Sequence, residues 1–578
     1  MKNSIQKRGQ RFLRKFSRAS VKAGEEGKEH IKENLVKRFS HIANVRLLIL
    51  EWCLLVGALI LFAITQAFWF GSSYAVNVFS DGGTYTEATL GSVSSLNPLF
   101  ATTNSEKVLS KLMFATLSTI DYSGHAGIGL AKSIRPSEDG KVWTVKLRDD
   151  LKWSDGTPLT SDDVIFTTEL IKNPLVNSTF SSNLAKVKVE KNEEDAIIFT
   201  LPSSYADFIT ALNFPIVPKH ILENTEPQNL VENSFSTAPV TSGAFSFNAV
   251  QSSGSTEEKV FYLSANPYYY KGRPLLNSFA VHTYGTKDEI IQAVNSGSVT
   301  ATAELSGKET EQVKASNFIM KNSSLNYGAF IFFNMSSVTT KNLELRSAIR
   351  QGINIDKIRA AAPETQALDY PLLKSQIKLS RYPELPERNV EAAKNKIKEL
   401  SPDSKLKINL VTVNSGYLPQ VSEVLKEELE NLGCEVDLTT YEENQEFISN
   451  VIAKRSYDIL VYDIELGTDP DLLPYFHSSQ ASSTGLNLSN YRNLMVDDLI
   501  LGARDALDDD LRAKKYETLL DYWVASVPAI GLYQPNLTYY YNKNVRTFGN
   551  NMRLVTAIDR FSDIDMWAVS KTAKNKTP

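Results

Sequence analysis

Disulfides cannot hold this chain together. Its 578 residues include only two cysteines, Cys53 and Cys434. Cys53 lies inside an apolar run, so a bridge between them is implausible and the body must be stabilised by its core. Histidine is equally scarce. None of His30, His41, His125, His220, His282 and His477 has a neighbour at metal-ligand spacing, and His220 reads as a capping or surface residue. There is no Walker-type phosphate loop, so any ATP hydrolysis belongs to another subunit. The glycines between Gly124 and Gly129 lack the dinucleotide spacing. No nucleophile–base constellation stands out, no internal repeat is visible, and no long low-complexity segment interrupts the chain. These absences argue against an enzyme and against a bound cofactor or metal.

Charge is unevenly spread. Residues 1–50 carry 13 Lys and Arg against 4 Asp and Glu, a balance of +9, whereas residues 52–578 carry 49 basic and 61 acidic side chains, a balance of −12. A basic head on an acidic body points to a membrane-facing tail and not to nucleic-acid binding. Residues 1–46 are read as a solvated cytoplasmic tail with short helical pieces around residues 26–39. Next comes the one long apolar run, Trp52 to Phe70, WCLLVGALILFAITQAFWF, polar only at Thr65 and Gln66. At roughly 1.5 Å per residue it spans a hydrocarbon core of about 30 Å, with Trp52, Trp69 and Phe70 at its ends as interfacial aromatics. Residues 47–71 are therefore expected to be a single transmembrane anchor, with the N-terminus cytoplasmic and the body outside. A cleaved signal peptide ending near Ser73-Tyr74-Ala75 is the competing reading. Leu50-Glu51-Trp52 before Cys53 lacks the small residues of a lipoprotein signal.

The body is organised around Leu130 to Phe166. Val142 to Leu147 alternates, with Trp143, Val145 and Leu147 on one side, and reads as a strand with one buried face. Asp139-Gly140 before it is a tight-turn signal, and Trp153-Ser154-Asp155-Gly156 is a second. Thr160 to Asp163 then forms a T-x-x-D helix start. The segment is thus a hairpin feeding a capped helix, a scaffold that carries no chemistry of its own.

The ordered set Ser137, Asp139-Gly140, Trp143-Thr144, Leu147-Arg148, Lys152-Trp153-Ser154-Asp155-Gly156, Pro158-Leu159-Thr160 and Asp162-Asp163-Val164 closely resembles the signature of the family 5 solute-binding proteins. Those are extracytoplasmic receptors of ABC importers for oligopeptides, dipeptides and, in some members, nickel. The resemblance extends from about Gly83 to Phe548, through the Ser95-Leu96-Asn97-Pro98 turn, Phe214 to Leu222, the Asn266-Pro267-Tyr268-Tyr269 run and Leu343 to Ile358. Departures occur at Thr241-Ser242 and Ala244, where the family usually has Gly-Thr and Pro, and at Val299 to Ala301, which lacks the usual acid.

The resemblance implies an α/β, two-lobed, periplasmic-binding-protein type II-like fold with an extra subdomain, here preceded by one transmembrane helix. Length alone demands two or three lobes. The expected divisions are a tail at 1–46, the anchor at 47–71, lobe I with the hairpin subdomain at 79–325, lobe II at 326–527, and a return to lobe I at 528–578. Within lobe II, Tyr327 to Asn334 reads as a buried strand and Leu343 to Ile358 as one helix. Leu406 to Val413, Gln420 to Leu432 and the strand around Val436 read as a βαβ unit, and Tyr457 to Tyr462 as a further strand.

A peptide receptor needs backbone donors and acceptors, tolerant side-chain pockets and a counter-charge for the ligand's ends. By resemblance, the acid for the ligand's ammonium belongs in the loop after the Tyr457–Tyr462 strand. There Glu465 serves with a small shift, since a gapless reading lands on Leu466; Asp469 before Pro470 is the second acid, and both also read as plain loop or cap residues. Tyr462 and Tyr327 are candidate cleft residues or core aromatics. Thr102 to Asn104 correspond to a segment that touches ligand backbone in similar proteins, so Thr102 and Asn104 join the candidate set. The function implied is a membrane-anchored receptor delivering oligopeptides or dipeptides to ABC permease subunits by hinge closure, with a monomeric body. A nickel, haem or sugar receptor of the same fold, or a tethered peptide sensor partnering a signalling protein, are the alternatives.

Overall fold

The computed structural model describes residues 50–66 and 75–575, apart from 122–123, 185, 253–257, 364, 443–444 and 550–551. The chain divides into two units, Met1–Val78 with Lys571–Pro578, and Phe79–Ser570. In the first unit residues 50–66 form a helix exposed along its length, including Trp52, Leu54, Leu61 and Phe62. Ala75–Ser80 pairs with Ser570–Asn575 in a two-stranded sheet. The expected tail at 1–46 and the ends of the expected anchor, 47–49 and 67–71, lie outside the described residues. Among the described residues no helix is long and apolar enough to cross a membrane.

The second unit carries three sheets of four or more strands. In chain order its strands are β1 (Thr84–Leu90), β2 (Ala131–Pro136), β3 (Val142–Leu147), β4 (Lys188–Lys191), β5 (Ile197–Thr200), β6 (Phe245–Ser252), β7 (Lys259–Ala265), β8 (Ser278–Tyr284), β9 (Ala301–Thr302), β10 (Phe318–Ser324), β11 (Tyr327–Phe333), β12 (Gln366–Ala367), β13 (Lys407–Val413), β14 (Glu435–Tyr441), β15 (Ile459–Glu465), β16 (Ala529–Gln534) and β17 (Asn536–Asn542). A seven-stranded sheet has the order β10-β17-β9-β1-β8-β7-β6, a six-stranded sheet the order β12-β16-β11-β15-β13-β14, and a four-stranded sheet the order β2-β3-β5-β4. The helices used below are α1 (Asn104–Met113), α2 (Ser161–Lys172), α3 (Leu343–Gly352), α4 (Ile355–Arg359), α5 (Leu418–Asn431), α6 (Leu494–Asp505) and α7 (Asp509–Ser526).

The four-stranded sheet is the subdomain built on the organising hairpin. β2 and β3 pair antiparallel. Gly140 makes the turn at φ +66°, where a side chain would be strained, and Asp139 accepts from the Ser137 hydroxyl (2.6 Å) and the Lys141 N–H (3.2 Å). Trp143 and Val145 are buried as the alternation requires. At the start of α2 the Asp163 carboxylate accepts from the Thr160 N–H (2.8 Å), while the Thr160 hydroxyl leans on the same carboxylate (3.4 Å). Asp163 also accepts from the Lys219 N–H (2.9 Å), tying this cap to the next segment. The subdomain and the seven-stranded sheet share one apolar core, which runs from Trp143, Phe199 and Phe208 to Tyr85, Phe279 and Trp567.

The six-stranded sheet has a core of its own around Phe330, Phe332, Leu425 and Trp523. β11 is buried from Gly328 to Phe333, the pattern of a central strand covered on both faces. β13, α5 and β14 form the expected βαβ unit with parallel strands; α5 buries Leu418, Val421, Leu425 and Leu429, and Gly433 at φ +98° ends it. Two expectations are corrected. Leu343 to Ile358 is two helices, α3 and α4, because the backbone turns extended at Ile353 and Asn354, and the Asn354 side chain caps the second. The six-stranded sheet also continues past Val527 through β16, so the return to the first sheet comes at Pro535.

Candidate functional site

Two crossings join the lobes, Leu325–Asn326 between β10 and β11 and Pro535 between β16 and β17. They are bonded to each other, Leu325 N–H to the Pro535 carbonyl (3.0 Å) and Gln534 Nε2 to the Leu325 carbonyl (2.8 Å). Asn326 then anchors the end of β15: its carbonyl accepts from the Leu466 N–H (2.7 Å), and its side chain donates to the Gly467 carbonyl (2.8 Å). The β15 terminus is therefore fixed beside the crossings, where a side chain from one lobe can face the other.

Glu465 is that side chain. It is the last residue of β15, paired with Tyr327 of β11, and the Tyr327 hydroxyl donates to its carboxylate (3.3 Å). More than a third of Glu465 remains open to solvent, yet protein surrounds it. Burial raises its carboxyl above the ordinary value, the Asp559 charge adds to this, and Tyr327 and Lys107 oppose it. Lys107 and Asp559 come from the first lobe, so Glu465 looks across the interlobe space. Lys107 lies on α1 and is exposed; one turn on, Lys111 pairs with Asp559 at 3.5 Å. Burial and the charges of Glu465 and Asp463 keep the Tyr327 hydroxyl protonated far into alkali.

At the start of α1, Thr102 N–H (2.9 Å) and Oγ1 (3.2 Å) both donate to Glu106, and Asn104 Nδ2 reaches Glu304 (3.3 Å). Burial raises the Glu304 carboxyl, with Arg560 and Asn104 opposing. Tyr462 points to the opposite face of β15 from Glu465, its ring 5.9 Å from Phe447 in the second lobe. Asp469 is held in an ion pair with Arg512, both nearly buried.

The lobes meet again away from the crossings. Thr468 donates to Asp207 (3.2 Å), Ala206 N–H donates to the Arg504 carbonyl (3.2 Å), and the Arg504 guanidinium lies 4.1 Å from the Tyr205 ring centre. Asp471 lies 3.6 Å from Arg504. Burial, then the Asp469 charge, pushes the Asp207 carboxyl up to about 7, against the pull of Thr468 and Arg512.

A sequence model of the bacterial extracellular solute-binding proteins, family 5 Middle, matches residues 127–486, more than half of the chain. The chain belongs to that family. Family 5 members are substrate receptors and not enzymes. Among curated relatives, the oligopeptide-binding protein AppA of Bacillus subtilis is 25% identical over 488 residues, 79% of this chain and 87% of AppA. The structure of AppA with a nonapeptide superimposes with a TM-score of 0.70 at 23% identity, covering 85% of this chain and all of that one. The substrate-binding protein CtaP of Listeria monocytogenes gives 0.74 at 24% identity over 85% of this chain and all of CtaP. NikZ of Campylobacter jejuni with Ni(L-His) gives 0.71 at 21% identity over 84% and 99% of the two chains. These likenesses establish the two-lobed α/β fold.

Within this family 5 chain the structure brings Glu465 and Tyr327 together and sets Tyr462 apart, on the core side of the sheet. One local expectation is corrected: the strand read as Tyr457 to Tyr462 is Ile459–Glu465, so Glu465 closes a strand instead of lying on a loop. Pairing of Ile464 with Gly328 and of Glu465 with Tyr327 extends the ladder past Tyr462. Leu466, where a gapless reading placed the acid, is buried. Sequence reasoning missed Asp463, two residues before Glu465 and on the same side of the strand, although period-two alternation would have flagged it. It also missed Lys107 and Asp207, which only the three-dimensional fold places here.

Proposed function

We propose that this family 5 protein is a membrane-anchored, extracytoplasmic receptor that closes two lobes around a peptide and delivers it to an ABC permease. The observation that carries the reading is Glu465, a carboxylate hydrogen-bonded to Tyr327 at a strand end beside the interlobe crossings. A ligand ammonium needs a fixed counter-charge, and Glu465 at this strand end offers one. Thr102 and Asn104 are the proposed backbone-contact residues of the first lobe, and Tyr327 the proposed partner that orients Glu465. Tyr462 packs behind the strand beside Phe447, and Asp469 is committed to Arg512. AppA, a relative over most of its length, is an oligopeptide-binding protein, which favours a peptide ligand. Among the described residues no cluster of His, Cys, Asp and Glu is placed to hold a metal ion. The anchor rests on the basic residues 1–46 followed by the apolar Trp52–Phe70 run.

Two measurements test this. Calorimetry of the full-length chain in detergent against a mixed tri- to nonapeptide library is expected to give saturable binding; a response to nickel, haem or sugar with none to peptide overturns the peptide reading. Protease added outside intact cells is expected to remove the body and leave a small protected N-terminal fragment. A mature protein that begins near Val76 overturns the anchor.

A further inference from the structure

A cavity of about 50 Å³ lies where the lobes meet, beside the Pro535 crossing. The first lobe lines it with Asn322 and Thr538, and the second with Ser415, Tyr417, Tyr533 and Asp463. Among the described residues its wall holds no lysine, arginine or histidine, and Asp463 is its one carboxylate. The other polar groups are hydroxyls and amides, which carry oxygens able to accept from a donor. Tyr417 and Tyr533 add aromatic faces, which attract cations. An anion entering here would meet Asp463, and an apolar group would cover polar atoms without replacing their hydrogen bonds.

The volume suits a terminal head group, since a single water needs about 10–15 Å³ on this measure. The N-terminus of the 14-residue helix α5, at Ser415 to Leu418, borders the same space. Burial, and after it the Asp463 charge, raises the Tyr533 hydroxyl, so the negative charge is felt at the cavity wall.

Asp463 and Glu465 project from the same side of β15, opposite Ala329 and Tyr327. Two strand residues are about 7 Å apart, and an extended peptide has the same repeat. A ligand whose ammonium sits at Glu465 therefore brings a side chain from one of its first three residues to Asp463. We propose that the Asp463 cavity is a pocket for a basic side chain, lysine or arginine, near the amino terminus of the bound peptide. The proposal rests on the peptide reading and adds to it a ligand class and a specificity-determining residue.

The test uses the full-length chain and calorimetry. Tripeptides carrying lysine, acetyl-lysine or norleucine at position 1, 2 or 3 of an otherwise alanine sequence are compared. At one position lysine is expected to bind about tenfold or more tightly than both uncharged analogues, the scale of a desolvated charge pair. Asp463→Asn is expected to abolish that preference and to leave the norleucine peptides within about threefold of wild type. Wild-type protein that binds these peptides without any lysine preference overturns the pocket and leaves the peptide reading standing. A preference that survives Asp463→Asn overturns the role of Asp463. No binding of any peptide removes both readings. Because the preference is first measured on wild type, a variant that fails to fold does not protect the proposal.

Discussion

Asp207 gives the sharpest prediction, because it is a carboxyl trapped between lobes with no cation of its own. Arg512 is committed to Asp469, and Arg504 stands over Tyr205 beside Asp471. Asp207 accepts from Thr468 and is also held by Thr210, yet burial with the Asp469 charge raises its carboxyl to about 7. An unfolded Asp titrates near 3.9. The folded state thus holds the proton more tightly, and stability falls as pH rises from about 4 through 7, then levels off. Three pKa units correspond to about 4 kcal/mol, an upper figure for a group that water still reaches in part. Asp207→Asn keeps the acceptor for Thr468 and removes the charge. Its stability relative to wild type should therefore improve with pH, by up to roughly 2–3 kcal/mol between pH 5 and pH 8. Urea unfolding at those two pH values measures it. Because the contact joins the lobes, peptide affinity should follow the same course, weakening for wild type as pH rises from about 5 through 7 and levelling off above it, and not for the variant. A variant–wild-type difference that is the same at both pH values, or a variant less stable at pH 8 than at pH 5 relative to wild type, refutes the reasoning.

Two further predictions concern the scaffold. Glu87 and Arg560 form a buried ion pair in the first lobe, at 0% and 2% side-chain exposure, with Tyr539 donating to Glu87 (2.6 Å); Glu87→Gln should cost about 3–5 kcal/mol in chemical unfolding by leaving the Arg560 charge uncompensated. Asp163→Ala should cost about 2–4 kcal/mol, since the Thr160 and Lys219 N–H groups both lose their acceptor, whereas Thr160→Ala should cost less than about 1 kcal/mol because its hydroxyl only leans on that acid.

Much of this was readable in advance where the cause is local. The Asp139-Gly140 turn, the alternation of Val142–Leu147 and the α2 start depend on neighbours in sequence, and they stand where expected. The βαβ unit was legible because α5 shows one apolar stripe and Gly433 a left-handed end. The extent of β15 was not, because its last residues are held by backbone bonds to a strand more than a hundred residues earlier. For the same reason Glu465 was found as a candidate but placed on a loop. Tyr462 gave no sign of its direction until the strand was seen to run on to Glu465, which sets the two on opposite faces. Nothing near Asp207 in sequence distinguishes it from an ordinary surface acid; its environment is made by Thr468, Asp469 and Arg512 from the other lobe.

The central claim is that Glu465 anchors a peptide's amino terminus, and calorimetry with free and N-acetylated versions of one bound peptide tests it most directly. For wild-type protein the free peptide should bind more tightly than the acetylated one by about 2–5 kcal/mol, the usual loss when one side of a buried charge pair is removed. Glu465→Gln should remove most of that difference, while Asp469→Asn, whose carboxylate faces Arg512, should retain it. Equal binding of free and acetylated peptide by wild type, or a difference that survives Glu465→Gln, would contradict the account.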